Sequence, residues 1–186
     1  MLPFSVYRPA QTAYREQMTL RPAEFSDASS IATLCIEVWA GTYLKQGING
    51  FFADYVLEEF TSAKTRDLIA DPAQFILVSQ NTNGIDGVMR LSSNISGPVE
   101  ACSKWEISTL YVQPRHQGKG IGARLLRAAC EEAIQRGASS VWLTTNSQNA
   151  PAIAFYLKQG FTKISTTDFR IGNEGYQNDV LVRALG

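Results

Sequence analysis

An α/β fold is predicted, built on a mixed, mostly antiparallel central sheet flanked by helices on both faces. Three observations predict it. Apolar residues recur at strand-like spacing in FILVSQ (75–80), IDGVMRLSS (85–93) and WEISTLYV (105–112), with Asn83-Gly84 between the first two as a hairpin turn. The spacing then becomes helical: Ile121, Leu125, Ala129 and Ala133 form one apolar column, and Leu126, Cys130 and Ile134 the next. Finally, the strand VWLTTN (141–146) lies between two helical segments, which adds parallel pairing to a sheet that began with hairpins.

Each element has a local cause. Residues 19–22 read as a short strand, followed by a helix opening at Ser26 or Asp27, both good N-caps. Ile31, Leu34, Cys35 and Val38 supply its buried face. FFADYVLEEF (51–60) and AKTRDLIA (63–70) read as one or two short helices, stopped by Asp71-Pro72. After the three strands, the long helix runs to Arg136 and ends at Gly137. Asn149 can cap a helix reaching Gln159, with Pro151 tolerated in its first turn and Gly160 beyond its end. FTKISTT (161–167) and YQNDVLVRAL (176–185) close the sheet as a strand pair. Residues 1–17 show no clear periodicity and read as a short arm, open to partial disorder, ahead of a single domain over 18–186.

Bulk composition sets outer limits. With 186 residues, 45% apolar, the chain can bury a real core. Seventeen basic and seventeen acidic residues cancel, so no global charge favours nucleic acid or an anionic membrane. No apolar run approaches a membrane span. Cys35, Cys102 and Cys130 are odd in number and form no C-x-x-C pair, which fits a reducing, cytoplasmic setting. His116 is the only histidine, so no zinc site of His and Cys is expected, and it reads as a solvated loop residue. The absence of G-x-S-x-G also disfavours a serine hydrolase.

The chemistry concentrates in QPRHQGKGIGARLL (113–126), where Gly118, Gly120 and Gly122 alternate just ahead of the long helix. Each glycine in an ordered segment loses backbone entropy. A glycine loop entering a helix N-terminus lets a ligand approach unpaired N–H groups and the positive end of the helix dipole, which makes an anion site. From Ile107 to Cys130 there is no Asp or Glu, whereas Arg115, Lys119, Arg124 and Arg127 are all present. A Walker loop fails because Lys119 is followed by Gly120 rather than Ser or Thr. A dinucleotide loop is matched by Gly118, Gly120 and Ala123, but QPRHQ separates it from its strand. Residues 133–148 also lack the acid that would hold a ribose.

Q-x-x-G-x-G, formed by Gln117, Gly120 and Gly122, resembles the acetyl-coenzyme A loop of the GNAT acetyltransferase superfamily. NAPAIAFYLKQGF (149–161) resembles the same family's N-x-x-A-x-x-x-Y-x-x-x-G-F segment, and TLRPAEFSDASSIATL its first strand and helix. The resemblance covers residues 18–186 and is most specific from Glu106 to Phe161. It implies a GNAT-like sheet, acetyl-CoA as cofactor and coenzyme A as product. The backbone of Gln117, Gly118, Lys119, Gly120, Ile121 and Gly122 would meet the pyrophosphate. The strand end Leu110, Tyr111 and Val112 would pair with pantetheine, Asn149 would contact the pantetheine arm, and Tyr156 would sit near the sulfur.

Acyl transfer to an amine sets its own demands. A lysine-like amine has a pKa of about 10.4, so holding it neutral at pH 7 costs about 4 kcal/mol and calls for a base or a proton path. Glu106 is the only carboxylate on the strand feeding the loop; it is either that base or a solvated residue at a strand start, and water relayed to bulk would remove the need for it. Strand alternation would put Glu106, Ser108 and Leu110 on one face. Charge developing on the thioester oxygen needs a donor, for which the Val112 N–H is the candidate. Tyr156 can protonate the leaving thiolate, a role the family motif favours; read without the family, it is first an aromatic packed on an amphipathic helix.

The acceptor site is expected in the segment from Gln46 to Ala63. It has no Lys or Arg but places Asp54, Glu58 and Glu59 among Phe51, Phe52, Tyr55 and Phe60, as an extended cationic amine would suit. A solvated acidic helix face explains the same residues. WAGTYLKQGINGFFADYVLEEFT and FRIGNEGYQNDVLVRAL loosely resemble the polyamine-acetylating branch, which implies acceptors such as spermidine or spermine. Acetylation of a protein α-amine or lysine, and a non-catalytic acyl-CoA-binding regulatory module, are the alternatives. The expected partners are a small-molecule amine and, at most, a second copy of the chain.

Overall fold

A computed structural model describes residues 18–44 and 46–186; the arm read over residues 1–17 lies outside the described residues. The chain runs β1 (Thr19–Pro22), α1 (Ala28–Tyr43), α2 (Gly50–Glu59), α3 (Ser62–Ala70), β2 (Gln74–Asn81), β3 (Gly84–Ser93) and β4 (Trp105–Val112). It continues with α4 (Ile121–Gln135), β5 (Ser140–Asn146), α5 (Ala150–Lys158), β6 (Thr162–Ile171) and β7 (Glu174–Ala184). Two readings left open are settled here. The acidic stretch forms two helices, α2 and α3, capped by Asn49 and Thr61. Asp27 stands at the start of α1, but its carboxylate is taken by Arg21 at 2.6 Å and by the Glu24 N–H at 2.8 Å rather than by the helix.

The seven strands order as β1-β2-β3-β4-β5-β7-β6 in one sheet, with antiparallel neighbours everywhere except β4 and β5. Alternation decides which helix each residue meets. Leu77, Met89, Leu91, Ile107, Val141, Leu143 and Leu181 face α4 and α5. Ile76, Val78 and Val88 face α1 and α3 on the other side. A third cluster packs Trp39 of α1 and Val56 of α2 against Ile171 of β6. Among the described residues no helix is long and apolar enough to cross a membrane.

The expected single face for Glu106, Ser108 and Leu110 does not survive. Arg90 pairs with Thr109 and Leu91 with Ile107, so Ser108 is an extra residue in β4. Such a bulge puts two neighbours on one side and reverses the parity of everything beyond it. Ser108 therefore stays with Glu106 on the α1 face, at 2.7 Å from Ser92 Oγ, whereas Leu110 turns to the α4 core.

Helix α4 can lie close to the sheet because β3 offers no side chain beneath its first turns. A Cβ on Gly87 would stand 3.0 Å from both Ile121 Cγ2 and Leu125 Cδ1, and those two side chains are 1% and 0% exposed. Replacing Gly87 with Val should overpack this seat and destabilise the fold by about 1–3 kcal/mol, read from urea unfolding. Unchanged stability would show that α4 has slack against β3.

Candidate active site

The two parallel strands meet at one register position only, Glu106 with Trp142. Beyond it they separate. Leu110, Tyr111 and Val112 stay paired to Met89, Val88 and Gly87 of β3, and their other edge has no ladder partner among the described residues. The N–H of Gln113 donates to Asp86 O at 2.9 Å on the β3 side. Alternation then turns the main-chain groups of Leu110 and Val112 into the gap and those of Tyr111 towards β3. Leu110 and Val112 are thus the residues able to pair with an extended ligand, while Tyr111 can contribute through its ring.

The glycine loop stands at the mouth of this gap. Gly118 and Gly120 have φ of +75° and +86°, left-handed values that explain both glycines. Gly122 is helical, and a Cβ there would make only ordinary contacts at 3.5 Å with Phe155 and 3.7 Å with Val112. Neither backbone nor packing demands it, though it costs about 1 kcal/mol against alanine in a helix; close approach of a ligand would. The start of α4 supports that reading. α2, α3 and α5 are capped by side chains of Asn49, Thr61 and Asn149, whereas Gly120 before α4 has none to offer. Uncapped first-turn N–H groups and αL glycines, in a stretch without carboxylates, fit a chain of phosphates.

Gln117 shapes the loop more than it lines it. Its N–H donates to Pro114 O at 3.3 Å and its side chain donates to Val112 O at 3.1 Å, so its amide is partly committed. Glu37 of α1 accepts from Gln113 Nε2 at 2.9 Å and from Arg115 at 2.8 Å. That removes Arg115 from the cradle, and Arg127 leans to Glu131 at 3.7 Å. His116 is not the solvated residue expected: it packs 3.6 Å from the fully buried carboxylate of Asp86, and burial followed by the Lys119 charge lowers its pKa, keeping it neutral.

Tyr111 has three other phenols in its electrostatic surroundings, those of Tyr43, Tyr55 and Tyr156, which come from both sides of the sheet. Tyr156 is 9% exposed and packs at 5.2 Å from Phe155 and 5.7 Å from Phe161. Burial raises the pKa of Tyr111, Tyr156 and Tyr43, and pushes Tyr55 up to about 12. All four are therefore protonated near neutrality and can give a proton but not take one. Tyr156 is a core aromatic, packed between Phe155 and Phe161. Glu106 lies at the closed end of the gap on the α1 face. Its carboxylate accepts from Ser108 at 2.8 Å, and Ser108 continues through Ser92 to Gln74 at 2.7 and 2.6 Å. It is tethered, not solvated.

The acceptor segment arrives in part. Phe52 and Tyr55 pack on Trp39, and the β6–β7 hairpin adds Phe169 and Tyr176. Asp54, Glu58 and Glu59 are exposed, and Glu59 pairs with Lys64 at 2.9 Å. A hollow of about 150 Å³ is lined instead by neutral groups, with Tyr43, Phe52 and Tyr176 around Asn146 and Asn149. Asn149 Oδ1 caps α5 at 3.3 Å from the Ala152 N–H, so its amide nitrogen is the part left for a ligand. Tyr43, Asn146 and Tyr176 were absent from the expected site. The only sequence signal was aromatic richness at both ends of the chain, because the three lie on separate elements.

Glu37 links α1 to the loop. Hydrogen bonds from Gln113 first, and then Arg115, lower its pKa despite partial burial. A carboxylate depressed in the folded state stabilises above its ordinary pKa and stops doing so as pH falls through the lowered value. Glu37→Ala should speed amide hydrogen exchange over residues 113–118 about tenfold or more while leaving α4 protected, and the wild-type loop should loosen similarly at acid pH. Equal protection in both proteins would show that the tie is idle.

Comparison with known proteins agrees with this geometry. Residues 44–161 match the acetyltransferase (GNAT) family. An N-acetyltransferase of Mycobacterium tuberculosis is 32% identical over 133 residues, 72% of this chain and 81% of that one. Streptothricin acetyltransferase of Streptomyces lavendulae is 47% identical over 55 residues, 30% of this chain and 29% of that one. The structure of PaiA N-acetyltransferase from Thermoplasma acidophilum in complex with coenzyme A shares the fold with a TM-score of 0.72. It is 20% identical and covers 90% of this chain and 98% of its own. The chain belongs to the acetyltransferase (GNAT) family and is an acetyl-CoA-dependent N-acetyltransferase.

Proposed function

We propose that the acceptor is a small primary amine that enters beside Tyr43, Phe52 and Tyr176, and that Tyr156 is the acid. The observation that carries this reading is the gap beyond the Glu106–Trp142 pair, which has an uncapped helix start at its mouth and buried phenols beside it. Acetyl-CoA supplies an acyl group activated as a thioester. The start of α4, with Gly118 to Gly122, holds its phosphates; Leu110 and Val112 hold its arm by main-chain pairing. The Val112 N–H, turned into the gap, serves as the donor where negative charge develops on oxygen. Tyr156 keeps its proton until a thiolate needs it. Glu106, fixed by Ser108, takes the amine's proton through water.

Aromatic faces hold a cationic alkyl amine without a counter-charge. Spermidine and spermine belong to this class, although Asp54, Glu58 and Glu59 do not line the hollow as the sequence suggested. A lining of about 150 Å³ suits the end of an aminoalkyl chain better than a folded peptide surface.

Thiol release from acetyl-CoA should be stimulated by spermidine, spermine, simple diamines or the amine of streptothricin more than by lysine-ended peptides. Acetyl-CoA binding with no turnover on any amine would instead indicate a regulatory acyl-CoA module. Tyr156→Phe should lower kcat by about 100-fold with little change in acetyl-CoA affinity, as loss of a general acid predicts; an unchanged rate would return Tyr156 to packing alone. Gly120→Asp should weaken acetyl-CoA by about 100-fold, because a carboxylate would face the phosphates. Gly120→Asn, which tolerates the same φ without charge, should weaken it much less. Equal affinity in both variants would contradict the cradle.

A further inference from the structure

A second cavity of about 410 Å³ lies between α1, α3 and the sheet, and the reaction described above uses none of it. Its apolar walls come from Ile31, Leu68, Ile76 and Val88; Arg90 of β3 and Thr109 of β4 are the polar groups on its sheet side, and Glu59, Lys64, Thr65, Asp67 and Asp71 line it from the helices. Arg90 and Thr109 are direct cross-strand partners at the β4 bulge, so the extra residue that reverses β4 brings Thr109 onto the face where Arg90 already lies.

Arg90 Nε is buried and has no hydrogen-bond partner. Among the described residues the guanidinium joins no ion pair, although it lies close enough to Cys35 to favour the thiolate electrostatically. The carboxylates at the cavity mouth are committed or turned outward. Glu59 pairs with Lys64 at 2.9 Å, and Asp71 accepts from the Ala73 N–H at 2.8 Å and from Gln74 at 3.4 Å. Asp67 is exposed. Arg90 as a whole is half-buried, but its Nε–H is cut off from solvent, and a buried donor left unpaired is unfavourable. The guanidinium fork matches one ligand group above others, a carboxylate that accepts from Nε and a terminal nitrogen together. The acidic mouth disfavours a multiply charged phosphate, and the aliphatic walls ask for an apolar arm.

We infer that this cavity binds a small aliphatic carboxylate and that Arg90 is the residue that reads it. The carboxylate has two sources. Thr109 directly precedes the Leu110–Val112 edge, so it can belong to the acceptor, which would then be an amino acid; otherwise it belongs to a separate molecule bound beside the reaction.

Isovalerate, its neutral isostere isovaleramide, and leucine are the probes, titrated into the protein without acetyl-CoA and followed by amide shifts of Val88, Arg90 and Thr109. Isovalerate should saturate these shifts, and isovaleramide should bind about tenfold more weakly or worse. Arg90→Gln should lose the isovalerate response, Arg90→Lys should recover only part of it, and both should bind coenzyme A as the wild type does. No isovalerate response, equal binding of acid and amide, or an unaltered response in Arg90→Gln would each overturn the inference. Turnover separates the sources: a KM for leucine below that for leucinamide, and raised in Arg90→Gln, assigns the carboxylate to the acceptor. Amine KM values that Arg90→Gln leaves unchanged, with isovalerate binding present in the wild type, assign it to a separate ligand. The binding arm involves neither acetyl-CoA nor turnover, so its failure is distinct from failure of the proposed reaction.

Discussion

The structure depends on the parting of two parallel strands. β4 and β5 share one paired position and then diverge, leaving a main-chain edge that no strand among the described residues completes. Buried backbone groups are normally paired, so an open edge inside a sheet is a place where something else must pair. The crossover helix α4 begins at the mouth of the same opening, because it has to carry the chain from the end of β4 back to β5. Its dipole and first-turn N–H groups are therefore presented where the strand edge runs out. The proposed phosphate cradle and the proposed pairing edge are two consequences of one topological step.

Phenols from opposite faces of the sheet lie within electrostatic reach of Tyr111. Tyr156 belongs to the core under α4, whereas Tyr43 and Tyr55 belong to the aromatic layer over α1 and α2. Burial keeps them protonated, so proton donation is available there and proton removal is not. The base must come from a carboxylate or water, and Glu106 sits at the hinge of the opening with its orientation fixed through Ser108, Ser92 and Gln74.

Most of this was legible because local rules and the global fold agree. The glycine loop, the strand before it and the helix after it are contiguous in sequence, so Gln117 to Gly122 and Leu110 to Val112 could be placed without knowing the tertiary structure. Asn149 as a cap and Gly137 as a stop follow from backbone chemistry alone. What escaped depends on distant pairing. The bulge at Ser108 exists only relative to β3, and by reversing parity it misplaced Leu110 and hid the meeting of Arg90 with Thr109. Asp54, Glu58 and Glu59 of α2 are exposed while Phe52 and Tyr55 turn to Trp39, so reading the segment as one surface joined residues that the fold uses apart. Tyr43, Asn146 and Tyr176 come from α1, β5 and β7, and no spacing rule links them. His116 looked solvated because Asp86, its neighbour in space, lies on another strand.

One titration tests the central claim, that the uncapped start of α4 takes the charged end of the cofactor while the β4 edge takes its arm. Backbone amide shifts are followed as coenzyme A and then pantetheine, which lacks the phosphates, are added to separate samples. The account predicts that both ligands move Leu110 and Val112, and that only coenzyme A moves Gly118, Gly120 and Gly122. Identical responses of the glycine amides to both ligands, or none to either, would contradict it.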